Sequence, residues 1–215
     1  MMGWITTLRV LMGRDGGRIV RLDRDLEGLL ALDECAWLYR SALGRREIVE
    51  IGSYRGKSAV LLALGSAACR GVVTAIDPHF TGEDVPRMQF DGEDRRVLQE
   101  QLRRHGVASR VHEVVLTSRE ALREWDGRPI DLLWVDGDHS EEAVAFDLGE
   151  WGRFVGPGGL VAAHDYPRSA RRSGRFPGVK LAWDRLMTRE NGWGPTRRVR
   201  RIVWAQRLGA TDTAK

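Results

Sequence analysis

The sequence predicts an α/β fold, a doubly wound and mostly parallel sheet that ends in a C-terminal antiparallel hairpin. Three observations carry that prediction. From residue 47 onward short β-branched runs alternate with longer helical stretches, the rhythm of βαβ units. The runs are apolar throughout, as strands covered by helices on both faces are. The first of them also ends in a glycine-rich turn that opens a helix.

Taken in order, residues 23–43 place Leu26, Leu29, Leu30, Ala36, Leu38 and Leu43 between charges, which suits an amphipathic helix stopped near Gly44. Residues 47–51 form the first strand and 57–69 the following helix. Further strands are expected at 72–76, 110–115, 130–135 and 160–163. Helices are expected at 94–105, 140–155 and 179–188. Ser140 is a candidate N-cap, with Glu141 and Glu142 in the first turn and Gly156-Pro157-Gly158-Gly159 as the stop signal. Residues 193–208 hold enough β-formers for a hairpin whose last strand covers 201–207. This divides the chain into an N-terminal helical extension (1–44), one principal domain (45–208) and a tail (209–215). A length of 215 residues suits a single core.

Composition excludes several classes. No apolar run approaches the roughly 20 residues that span a bilayer, and the first residues lack the apolar core and cleavage site of a secretory signal, so a cytoplasmic chain with no membrane partner is expected. Cys35 and Cys69 support neither a disulfide framework nor a cysteine metal site. The net charge of +4 invites a nucleic-acid partner, but the basic residues are scattered among acids, and only Lys57, Lys180 and Lys215 are lysine. Nucleic acid is therefore disfavoured. Two local concentrations of arginine remain, at 168–175 and 197–201.

The chemistry is expected at the carboxyl ends of the strands. In Glu50-Ile51-Gly52-Ser53-Tyr54-Arg55-Gly56-Lys57-Ser58 the glycines let the backbone turn and approach a ligand, and the helix that follows offers free N–H groups. Gly52 and Gly56 stand four apart, which disfavours the dinucleotide fingerprint. Asp77, 25 residues after Gly52, ends the second strand where an acid can accept from ribose hydroxyls. Thr117 and Ser118 follow the third strand, at the place expected to approach an adenine. Asp136-Gly137-Asp138-His139 and His164-Asp165-Tyr166 end the fourth and fifth strands. Carboxylates with one or two imidazoles there suit a divalent cation, and an oxygen-dominated set suits Mg²⁺. Strand-end acids that merely cap helices are the plainer alternative. Segments 81–94 and 167–177 are long enough to be lids, the second with Arg168, Arg171, Arg172 and Arg175 to clamp an acceptor.

This combination of Glu-x-Gly-x-x-x-Gly-x-Ser, Asp-Gly-Asp-His, Pro-Gly-Gly, His-Asp-Tyr and Pro177-Gly178-Val179 resembles the small Mg²⁺-dependent class I O-methyltransferases, with a Rossmann-like fold, over residues 47–184. It looks most like the enzymes that methylate sugar hydroxyls of macrolides and polysaccharides, methylmannose polysaccharide precursors included, and more distantly like catechol O-methyltransferase. The resemblance implies that Glu50, Gly52, Ser53, Gly56 and Ser58 surround the methionine part of S-adenosylmethionine, with Asp77 on the ribose. It implies Asp136 and Asp165 as Mg²⁺ ligands and His139 as general base. His164 stands where those sugar enzymes carry a further carboxylate, so it either ligates the metal or shapes its surroundings. The acceptor implied is a small molecule or an oligosaccharide, and a homodimer is compatible with the sequence. A catechol or phenol acceptor, and an RNA acceptor, are the rival expectations.

Overall fold

The computed structural model describes residues 12–79, 92–167 and 176–209. The expected lid at 81–94 falls almost wholly outside them, as do Arg168, Arg171, Arg172 and Arg175 and the tail beyond Gly209.

Two helices precede the first strand: α1 (Gly16–Asp25) and α2 (Leu32–Ser41). The chain then runs β1 (Glu47–Ile51), α3 (Lys57–Gly65), β2 (Val72–Ile76), α4 (Gly92–Arg104), β3 (Val111–Val114), α5 (Ser118–Glu124) and β4 (Ile130–Val135). It continues through α6 (Glu141–Phe146), β5 (Val155–Ala163), α7 (Pro177–Leu186), β6 (Arg197–Val199) and β7 (Ile202–Gln206). These strands form one seven-stranded sheet in the order β3-β2-β1-β4-β5-β7-β6. The first five are parallel, and β7 and β6 close the sheet antiparallel, as the sequence predicts.

Alternation along the strands feeds two cores. Ile48, Val73, Leu132, Trp134 and Ala162 face α1–α4, whereas Val49, Leu133, Val135, Val161 and Ala163 face α6 and α7. Helices α1 and α2 contribute Ile19, Leu22, Cys35 and Leu38 to the first of these cores. The helical extension is thus packed into the body of the sheet. The sheet order reverses between β1 and β4, where Ile51 pairs with Val135, and their carboxyl ends therefore form the switch-point crevice.

Three expectations are corrected. The helix expected over 23–43 is two helices, because Gly28, at φ 150°, brings the backbone against Lys57: a Cβ there would sit 2.6 Å from the Lys57 Cβ. Leu29, expected on the buried stripe, is 72% exposed as a result. The helix expected over 140–155 is regular only to Phe146; it widens into a π-turn at Asp147–Trp151 and tightens into a 3-10 turn at Gly152–Phe154. The Gly-Pro-Gly-Gly run, read as the stop of that helix, lies inside β5, which absorbs it through a register shift between Ile130 and Leu132. Helix α5, not anticipated, starts at a Thr117–Glu120 capping box.

Candidate active site

The turn after β1 is built by two glycines at φ 86°, Gly52 and Gly56. A Cβ on Gly52 would collide with the Asp136 carbonyl, so glycine lets the ends of β1 and β4 close on each other. Asp77 fixes the turn: its Oδ2 accepts from the N–H groups of Ser53 (2.9 Å) and Tyr54 (2.8 Å), and its Oδ1 from that of His79 (2.9 Å). Two bonds to one oxygen leave the other partly free, compatible with a ribose as a further donor.

Glu50 is completely buried, and neither carboxylate oxygen has a hydrogen-bond partner of good geometry. Burial pushes its carboxyl up to about 8, opposed by the Ser58 hydroxyl and reinforced by the charges of Asp136 and Asp77. A buried acid at the mouth of the glycine turn could receive a cationic group. Ser53 and Ser58 are buried beside it. Ser118 lies further along the rim, at the start of α5. Its carbonyl accepts from Trp151 Nε1 (3.3 Å), and its hydroxyl faces the buried Asp147, whose carboxyl burial pushes up to about 7.

The strand-end acids converge. Asp136, His139 and Asp165 each offer one ligand-type atom, and these lie within 4.8 Å of one another. His139 Nε2 is 3.1 Å from Asp165 Oδ2 and 3.8 Å from Asp136 Oδ1. Asp165 adopts a left-handed backbone at φ 57°, a conformation that non-glycine residues hold mainly where the surroundings enforce it. Its Oδ1 pairs with the Arg201 guanidinium from the β6–β7 turn. Two carboxylates and an imidazole from neighbouring strand ends fit a divalent cation of oxygen preference that tolerates nitrogen.

His164 approaches the same two carboxylates, its Nδ1 lying 3.3 Å from Asp136 Oδ1 and 3.6 Å from Asp165 Oδ1. It shares the sheet face of Trp134 and Ala162, is 4% exposed, and lies with Nε2 3.4 Å from Glu34 Oε1 on α2. Burial alone would lower its pKa, but the Asp136 charge and then Glu34 outweigh that and push it up to about 9. Asp136 and Glu34 are held below the usual carboxylate range in return, His164 overcoming the burial of each. The imidazole thus lies between the carboxylates of Asp136 and Glu34.

Sequence reasoning missed four residues here: Glu34, Asp147, Arg201 and Phe176, whose ring stacks on His139 at 4.1 Å between centroids. The first two left a signal. Glu34 interrupts the stripe Leu30–Leu38, and Asp147 the stripe Val144–Leu148–Trp151, each an acid on an apolar face.

The fold and its rim define a nucleotide-crevice protein of the methyltransferase type, and comparison with known proteins names the family. Residues 49–166, more than half of the chain, match the methyltransferase-domain family, and the protein belongs to it. A catechol O-methyltransferase of Mycobacterium tuberculosis is 31% identical over 109 residues; that stretch covers 51% of this chain and 43% of the relative, so the chain matches less than half of its length. Among solved structures, cofactor-bound Rv0187 from the same bacterium superposes with a TM-score of 0.67 at 20% identity, covering 88% of each chain. An O-methyltransferase from Bacillus cereus in complex with S-adenosylhomocysteine does so with a TM-score of 0.64 at 16% identity, covering 93% of this chain and 94% of that one. Both likenesses are of fold.

Proposed function

We propose that the protein transfers the methyl group of S-adenosylmethionine to a hydroxyl of a sugar or glycoside, with a divalent cation, Mg²⁺ first, at Asp136 and Asp165. The observation that carries this reading is the convergence of Asp136, His139 and Asp165 beside the Glu50–Gly56 turn, across the β1–β4 switch point. Glu50, buried beside Ser58, would receive the donor's ammonium group. Gly52, Ser53, Gly56 and Ser58 would line its methionine portion, and Asp77 and Ser118 its ribose and adenine.

When bound, the cation favours the alkoxide of a coordinated hydroxyl. His139, stacked on Phe176, would take the hydroxyl proton. The oxygen then forms its bond to the methyl carbon as the carbon–sulfur bond breaks, and the sulfonium leaves as the neutral thioether S-adenosylhomocysteine. The donor is already electrophilic, so the remaining task of the protein is alignment of oxygen, carbon and sulfur. Cytoplasmic placement remains part of this proposal; among the described residues no helix is long and apolar enough to cross a membrane.

One observation favours a second acceptor class: the 31% identical relative is named for catechol methylation. Methyl transfer to sugars, catechols and RNA, with and without chelator, decides. Asp136→Ala or chelation is expected to lower turnover at least a hundredfold while S-adenosylhomocysteine still binds. Full activity under chelation would remove the cation from the reading, and turnover of catechols alone would replace the sugar.

A further inference from the structure

We infer that Glu34, on the N-terminal helix α2, is a positioning residue for the cation site, acting through His164 on Asp136 and through the β6–β7 turn on Asp165. The inference rests on the cation reading proposed above.

Glu34 is 2% exposed, a position where an ionised carboxylate is costly unless partnered. It has three partners from three parts of the fold. Oε2 accepts from the Ala31 N–H (2.9 Å) and closes the start of α2. Oε1 accepts from the Arg201 N–H (3.2 Å) and also lies 3.4 Å from His164 Nε2. A cap alone requires only the first of these contacts. The other two reach the residues that touch the cation-site carboxylates: His164 Nδ1 is 3.3 Å from Asp136 Oδ1, and the Arg201 guanidinium pairs with Asp165. A second contact ties the same two elements, because Arg200 in the turn pairs with Asp33 on α2 (2.8 Å).

The residue at 164 is the link between the two elements. One ring nitrogen lies 3.3 Å from Asp136 Oδ1 and the other 3.4 Å from Glu34 Oε1, so the α2 carboxylate bounds the ring that bounds Asp136. Without Glu34 the ring loses its contact on the far side, and the orientation of the Asp136 carboxylate is less well fixed.

The test is Mn²⁺ binding to the full-length protein followed by electron paramagnetic resonance, with S-adenosylhomocysteine affinity and melting temperature measured in parallel. Glu34→Gln keeps the shape and removes the charge. It is expected to weaken Mn²⁺ binding about tenfold, the range found when the outer partners of metal ligands are removed, while S-adenosylhomocysteine affinity stays within about twofold of wild type. Adding His164→Gln to Glu34→Gln is expected to weaken Mn²⁺ binding little further than His164→Gln alone, because Glu34 acts on Asp136 through that ring. Independent losses of folding would add instead. If Glu34→Gln does not fold, Glu34→Asp, which withdraws the carboxylate from His164, carries the comparison. A folded variant that binds Mn²⁺ as wild type does overturns the inference and leaves the cation reading standing. A wild-type protein that binds no Mn²⁺ overturns both.

Discussion

At the scale of single residues the feature with the clearest consequence is a buried acid beside the glycine turn. Burial raises the Glu50 carboxyl to about 8. Its folded pKa therefore lies above its unfolded one. The stability that comes from keeping it protonated is complete below about pH 4 and is lost as pH rises through 8. Glu50→Gln holds the neutral form at every pH. The variant is expected to match wild type near pH 4 and to exceed it at pH 8 by on the order of 4 kcal/mol, while donor affinity drops at least tenfold for want of the negative charge. Urea denaturation at both pH values, with S-adenosylhomocysteine titration, checks this. A stability difference that does not change with pH would remove the role given to burial.

At the scale of elements, what was legible depended on whether a local pattern or a tertiary contact set the geometry. The parallel strands were legible because each is apolar on both faces, and the site residues at their ends followed from that. The break at Gly28 was not, since its cause is the approach of Lys57 from another helix. Nor was the entry of Gly156–Gly159 into β5, where glycine and proline read as a stop but pairing with β4 absorbs them. Position 178 shows an element contact that reaches the site. A Cβ on Gly178 would run into the backbone of His139 and Glu141, so glycine seats the first turn of α7 on the Asp136–His139 loop and leaves Phe176 over the imidazole. Gly178→Ala is expected to cost about 1–3 kcal/mol through that overlap. Because α7 would shift away from His139, kcat should fall more than tenfold with little change in donor affinity. Steady-state kinetics beside a melting curve would show it; kcat unchanged at a lowered melting temperature would make the contact purely structural.

At the scale of the molecule, the crevice between β1 and β4 separates the methyl-donor reading from the nicotinamide and nucleic-acid readings that composition and the glycine turn leave open. The turn spacing of Gly52 and Gly56 disfavours a dinucleotide, and several arginines of the described residues pair with acids: Arg40 with Asp15, Arg55 with Asp94, Arg128 with Glu47 and Arg185 with Glu141. Binding to RNA is expected to be weak and to fall steeply with salt. A ligand that binds only the folded state stabilises it by about 2.7 kcal/mol at a hundred times its Kd, worth roughly 5–10 °C in melting temperature for a chain of this size. S-adenosylhomocysteine is expected to give that shift, and NAD at the same concentration none. The sheet alone would accept either ligand; Glu50 and the four-residue spacing of the turn decide between them. A shift with NAD and none with S-adenosylhomocysteine would return the crevice to a dinucleotide.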